Sequence, residues 1–368
     1  MITAVTLHSA LSAATLIIAL IWIATARTRR SRPRPEIQLI DPVRYGLVPT
    51  AQLEPGRAGP PPAALRLKEM QGIADAAWEG DWRQADAHVE AAGQDWDERW
   101  SRQDLLVEIA CRDDEWLMQW REAQPGNCTA ATVHARLLLH HAWEIRGNEY
   151  AHAVPAERMA RFRELLPASF EAARRAALLS SEDPGPWVVM ITAARALRYT
   201  HEQFRPLWEE LTARAPHHYQ GHGQALQYWC AKWCGSNRAM LAFAERAVRS
   251  APPGSPLAAV HLQALREIEI RSGAAAVPST SAAKELLVDV ARSLAQASDA
   301  VDEEPQLRHV LAHYLGRAGL HDAALEQFRL IGPWCGAQPW ASQDDPAAAF
   351  DLARRTAAFH ATGVRPTP

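Results

Sequence analysis

From residue 64 onward the apolar residues of this chain recur at three- and four-residue spacing, and no run alternates as a half-buried strand does. Helical segments are predicted at Leu65 to Glu79, Arg83 to Ala92, Arg102 to Ala123, Ala130 to Arg146, Pro167 to Leu179 and Trp187 to Tyr199. Between helices stand turn formers: Gly80-Asp81, Pro125-Gly126-Asn127, Asp183-Pro184-Gly185-Pro186 and Pro252-Pro253-Gly254-Ser255-Pro256. An all-α fold follows. No such helix can hide its apolar stripe alone, so neighbouring helices must cover one another.

Four tryptophan pairs are spaced i,i+4: Trp78/Trp82, Trp96/Trp100, Trp116/Trp120 and Trp229/Trp233. On a helix each pair shares one face, which predicts wide aromatic seams between stacked helices. The first three begin at 78, 96 and 116, steps that suit one helix and a turn each. With 14 tryptophans in 368 residues, packing is expected to absorb most of them, rather than an aromatic ligand cage.

The amino terminus has a different character. Residues Ile2 to Ala26 carry no Asp, Glu, Lys or Arg, and at ~1.5 Å per residue a helix of that length reaches ~37 Å, enough for a hydrocarbon core of about 30 Å. Trp22 suits an interfacial anchor, and the arginines at 27, 29, 30, 32 and 34 follow directly. The expectation is a transmembrane helix over 2–26, single-pass in the cell membrane, with the amino end outside and the body cytoplasmic. A cleaved signal ending at Ala24-Thr25-Ala26 is the competing reading, weakened by the missing cationic leader and by the arginines after the cut. Residues 27–63 are basic and then proline-rich, with eight prolines between Pro33 and Pro62, and are expected to act as a semi-rigid linker. In polyproline form, at ~3.1 Å per residue, it would reach on the order of 100 Å.

Five of the 39 basic residues and none of the 42 acidic ones precede Glu36, so the remainder carries 34 basic against 42 acidic groups. An acidic body argues against nucleic acid as a partner. The five cysteines, an odd and scattered set, do not suggest a disulfide framework.

Ala77-Trp78-Glu79-Gly80-Asp81-Trp82-Arg83-Gln84-Ala85, followed by Val89 and Ala92, resembles the tetratricopeptide repeat (TPR). Gly319-Leu320-His321-Asp322-Ala323-Ala324 with Phe328 is similar in the same places. Pro125, Pro184, Pro216 and Pro252 fall where such a repeat ends, at intervals of 59, 32 and 36 residues, and Ala172, Ala176, Ala244 and Ala247 fill its small-residue positions. Two intervals lie close to the repeat's usual 34, while the longest suggests an inserted or unrecognisable unit around Gly147 to Pro167. The motif is degenerate, lacking the usual tryptophan early in the first helix and placing Ile331 where a small residue is preferred. The stretches Ala142 to Gly147 and Gln227 to Trp233 also resemble uncharacterised helical proteins of actinobacteria. The resemblance implies a right-handed helical-hairpin solenoid over 64–360, a disordered tail over 361–368, and a concave face that binds a protein or peptide.

No P-loop, dinucleotide fingerprint, nucleophile elbow or H-E-x-x-H helix occurs, so catalysis and a cofactor are not expected. The alternative is a small-ligand or metal site near residues 217–234. There His218, His222, Cys230 and Cys234 are tetrahedral metal-ligand types, but 12 residues along one straight helix separate the pairs by ~18 Å, too far for a zinc site. For ligand binding the candidates are His222, Tyr228, Trp229, Lys232 and Trp233, with a second polar cluster at Trp143, Glu144 and Arg146.

Overall fold

Polar side chains start many of the helices. Asp95, Asn127, Ser236, Thr280 and Asp345 each accept the backbone N–H three residues on, and Thr200 forms a reciprocal box with Gln203. The computed structural model describes residues 35–147, 153–272, 278–296 and 304–361, and the expected membrane segment and most of the tail lie outside them. Fifteen helices of nine residues or more occur among the described residues. They are α1 (Ala64–Trp78), α2 (Trp82–Glu90), α3 (Trp96–Arg112), α4 (Glu115–Ala123), α5 (Cys128–Arg146), α6 (Ala156–Ala176), α7 (Gly185–Ala196) and α8 (His201–Arg214). The series continues with α9 (Tyr219–Trp229), α10 (Asn237–Ser250), α11 (Val260–Ser272), α12 (Ser281–Leu294), α13 (Glu304–Arg317), α14 (His321–Ile331) and α15 (Pro346–His360). The fold is all-α; among the described residues the one extended pairing is an isolated bridge between Glu54 and Trp334.

Two kinds of neighbour recur. Most helices pack on the next one in sequence, and every odd-numbered helix also packs on the next odd-numbered one, from α1·α3 through to α13·α15. Among even-numbered helices only α2·α4 and α10·α12 pack comparably. Pro125, Pro184, Pro216 and Pro252 each lie between an even helix and the following odd one. Among the described residues the 59-residue interval encloses α5 and α6, a closely packed pair of long helices with 19 and 21 residues.

The tryptophans divide by where helices end. Trp96/Trp100 and Trp116/Trp120 lie within single helices, whereas Trp78/Trp82 straddles the turn at Gly80, whose φ of 89° ends α1. Trp229/Trp233 likewise leaves the helix at Cys230, where ψ is 147°. Trp82, Trp120 and Trp116 still form one stacked ladder, with centroids 6.0 and 6.3 Å apart, inside the core that α1 to α5 share. The core from α5 to α15 is continuous, so α5 serves both.

The proline-rich stretch is not a free spacer over residues 36–59. It runs along the carboxyl-terminal helices. Arg354, 1% exposed, donates to Val48 O at 2.7 Å and Thr50 Oγ1 at 3.2 Å. Arg355 donates to the carbonyls of Gln38 and Ile40, Arg329 to Tyr45 O, and His309 to Ala58 O. Backbone bonds Glu54 N to Pro333 O, Cys335 N to Glu54 O and Gly336 N to Arg57 O add a short extended strap. The expected reach of this linker is therefore wrong for these residues: buried or half-buried donors on α13, α14 and α15 hold backbone carbonyls that an extended proline-rich chain leaves unpaired. Among the described residues no helix is long and apolar enough to cross a membrane.

Candidate functional site

Helix α9 is short, and its environment explains both its ends. His218 caps it by accepting the Gly221 N–H through Nδ1 at 3.2 Å. Glycine at 221 lets α8 and α9 approach closely, since a Cβ there would meet Leu211 Cδ2 of α8 at 2.6 Å. With Nδ1 committed as an acceptor and burial holding the His218 pKa near 3, its 3.3 Å approach to Asp97 is no ion pair at neutral pH. Asp97 accepts the Tyr219 N–H instead, at 2.8 Å, which fixes the start of α9 against α3.

Two constellations flank this helix. On one side α8, α9 and α10 enclose a half-open cavity of about 670 Å³. His201, Arg205 and Trp208 line it from α8, Phe243, Arg246 and Ser250 from α10, and His222 and Trp229 from α9. Trp208 stands edge-on to His222 and Phe243, with centroids 4.8 and 5.3 Å away. His222 donates Nδ1–H to the His218 carbonyl at 3.0 Å, and burial lowers its pKa to about 4. The neutral ring then keeps Nε2 as an acceptor.

On the other side Trp143 and Arg146, from the end of α5, meet Trp233. The two indoles are perpendicular at 5.9 Å. Arg195 of α7 lies between them, 5.1 Å from one ring and 5.3 Å from the other, while Arg146 reaches both and Phe162. Arg195 donates to Gln224 Oε1 at 2.9 Å, and its Nε has no hydrogen-bond partner. Burial first, then the Arg146 charge, lowers its pKa to about 10, so it stays cationic at neutral pH. Stacking of this kind contributes ~0.5–2 kcal/mol per desolvated contact and partly replaces the water that the guanidinium lost.

The sequence candidates thus separate by role. His222 and Trp229 line the cavity, and Trp143, Arg146 and Trp233 come together although they are far apart in sequence. Tyr228 is fully buried, stacked 3.7 Å from Phe204, with its hydroxyl donating to Tyr199 O, so it is core. Lys232 is tied to Glu267 at 2.7 Å. Glu144 faces His140 on an exposed side of α5, outside both constellations. Among the described residues no three His, Cys, Asp or Glu side chains converge on a point that could hold a metal ion. Cys230 is buried against Arg271, and the backbone carbonyl of Cys234 accepts from His201 Nε2 at 2.9 Å. His218, His222, Cys230 and Cys234 therefore serve as cap, wall and packing.

Comparison with protein-family models, curated proteins and solved structures gives no significant match. The site rests on its own geometry. Sequence reasoning missed Arg195, Phe162, Trp208, Phe243 and Arg246. Arg195 had a signal, as the one charged residue in the run Val188 to Ala196, which is apolar but for Thr192. Trp208, Phe243 and Arg246 had none, because their meeting depends on how far apart α8 and α10 lie.

Proposed function

We propose that the protein is a membrane-anchored scaffold whose helical hairpins stack as a right-handed, TPR-like solenoid and bind a protein or peptide partner on the concave face. The unbroken packing of odd-numbered helices on one another is the observation that carries this reading, because one continuous layer is what stacked hairpins produce. The apolar stretch Ile2 to Ala26 supports the anchor, and the arginines that follow it support a cytoplasmic body. Docking of residues 36–59 sharpens the geometry. Only Arg27 to Pro35 separate the membrane segment from the docked strap, nine residues that span at most about 32 Å when extended. The carboxyl-terminal helices would then sit close under the bilayer, with the amino-terminal hairpins free to meet a partner.

A small-ligand protein is the second reading, favoured by the aromatic cavity around His222 and Trp229, whose volume lies in the range of ligand sites. Crosslinking in cells, recovery from the membrane fraction and repetition after deleting residues 64–270 test the scaffold. Specific partners lost on deletion support it, and turnover of a metabolite by the purified protein overturns it. Reporter fusions after Pro35 and at Pro368 test the orientation, with reporter activity confined to the cytoplasm expected.

A further inference from the structure

We infer that the groove between α8 and α10 docks an acidic peptide segment of a partner protein through one or two large apolar side chains, an inference that rests on the partner-binding reading above. The groove is on the side of the even-numbered helices, away from the odd-numbered layer. Helices α8 and α10 do not pack closely on each other there, and α9 floors the gap. His201, Arg205 and Trp208 fall on one face of α8, and Phe243, Arg246, Ala247 and Ser250 on one face of α10. Two helical turns give the groove a length of ~10 Å, the span of a few extended residues or two turns of a bound helix.

Its chemistry is that of an interface centre. Trp208, Trp229, Phe204 and Phe243 supply apolar walls, and arginines stand on both rims; tryptophan and arginine are the residue types that dominate binding energy at protein interfaces. Charge selects the occupant. Although the body carries more acid than base, the groove has two arginines against Glu202 alone. Arg246 is exposed and has no ion pair among the described residues; its contact is the Phe243 ring at 5.9 Å. Arg205 approaches Glu209 only to 3.9 Å, both about two-thirds exposed. Two cations flanking an aromatic trough are complementary to carboxylates flanking a bulky side chain. At the floor, His222 offers an acceptor for an N–H or O–H of that side chain. The half-open form suits side chains delivered by a longer chain, whereas a free small molecule is held best when mostly enclosed.

The test pans a phage-displayed library of short random peptides on the full-length protein in nanodiscs, then measures the selected peptides by fluorescence anisotropy. Peptides combining Asp or Glu with Trp, Phe or Leu are expected, binding at least ~10-fold more weakly to Trp208→Ala and to Arg246→Glu than to wild type or to Arg161→Glu on α6. Arg246→Glu changes only an exposed side chain, so it reports on binding even if Trp208→Ala unfolds. A basic consensus, no enrichment, or undiminished binding to Arg246→Glu overturns the proposal. So does equal affinity for free indole-3-acetate, which would make the groove a small-molecule site. Partners recovered in cells that survive both substitutions would remove the groove and leave the scaffold reading standing. Absence of any partner would remove the scaffold reading itself.

Discussion

Replacing Arg354 by Leu should release the amino-terminal strap. The Arg354 side chain is almost completely buried, pairs with Asp351 at 2.6 Å and donates to Val48 O at 2.7 Å and Thr50 Oγ1 at 3.2 Å. Removing one partner of a buried pair costs about 3–5 kcal/mol. Here Asp351 keeps Arg355 at 2.7 Å and Thr50 Oγ1 at 3.1 Å, so its carboxylate is not stranded and the lower end, ~3 kcal/mol, applies. If that loss falls on the strap, its open population rises by about 100-fold, since each ~1.4 kcal/mol is tenfold. Trypsin reports the opening through cleavage after Arg44 and Arg57, with native-state hydrogen exchange of residues 47–53 as the second readout. Cleavage within about threefold of wild type, with unchanged exchange, would refute the reasoning, because 3 kcal/mol cannot be hidden from both.

Acid should loosen the fold. Burial holds His218 near 3 and His222, His261 and His309 near 4, against about 6.5 in an unfolded chain. Above pH ~6.5 these rings are neutral in both states and add no pH dependence; between ~6.5 and ~4 the unfolded chain takes up protons that the folded one refuses. Urea midpoints should therefore fall steadily from pH 7 to 4.5, and a flat profile would contradict the burial. Gly221→Ala forces a Cβ to 2.6 Å from Leu211, itself fully buried, and should cost about 1–3 kcal/mol by overpacking; a neutral result in thermal unfolding would mean that α8 and α9 are less closely apposed. Chelators should leave the melting temperature unchanged, and Cys230→Ser should not alter metal content, because no set of ligands converges among the described residues.

Local chemistry was readable and distant pairing was not. Apolar spacing and turn formers placed most of the first seven helices near their observed positions. Arg102 to Ala123 appeared as one helix because its apolar spacing continues through Asp113, yet Asp113 turns extended and accepts the Glu115 N–H to start α4. Trp143 and Arg146 and Trp233 were each visible as candidates, but their convergence on Arg195 depends on packing among α5, α7 and α9. The strap escaped entirely. Its bonds use the carbonyls of Gln38, Ile40, Tyr45, Val48 and Ala58, and backbone groups leave no trace in residue identity. Its anchors, Arg329, Arg354 and Arg355, look in sequence like ordinary helix arginines.

Crosslinking of the full-length protein in intact cells, with mass spectrometry of the membrane fraction, tests the partner-binding scaffold most directly. The account predicts a small, reproducible set of proteins joined to residues 64–270 and absent when that region is deleted. Background proteins alone, or the same set after deletion, would contradict it.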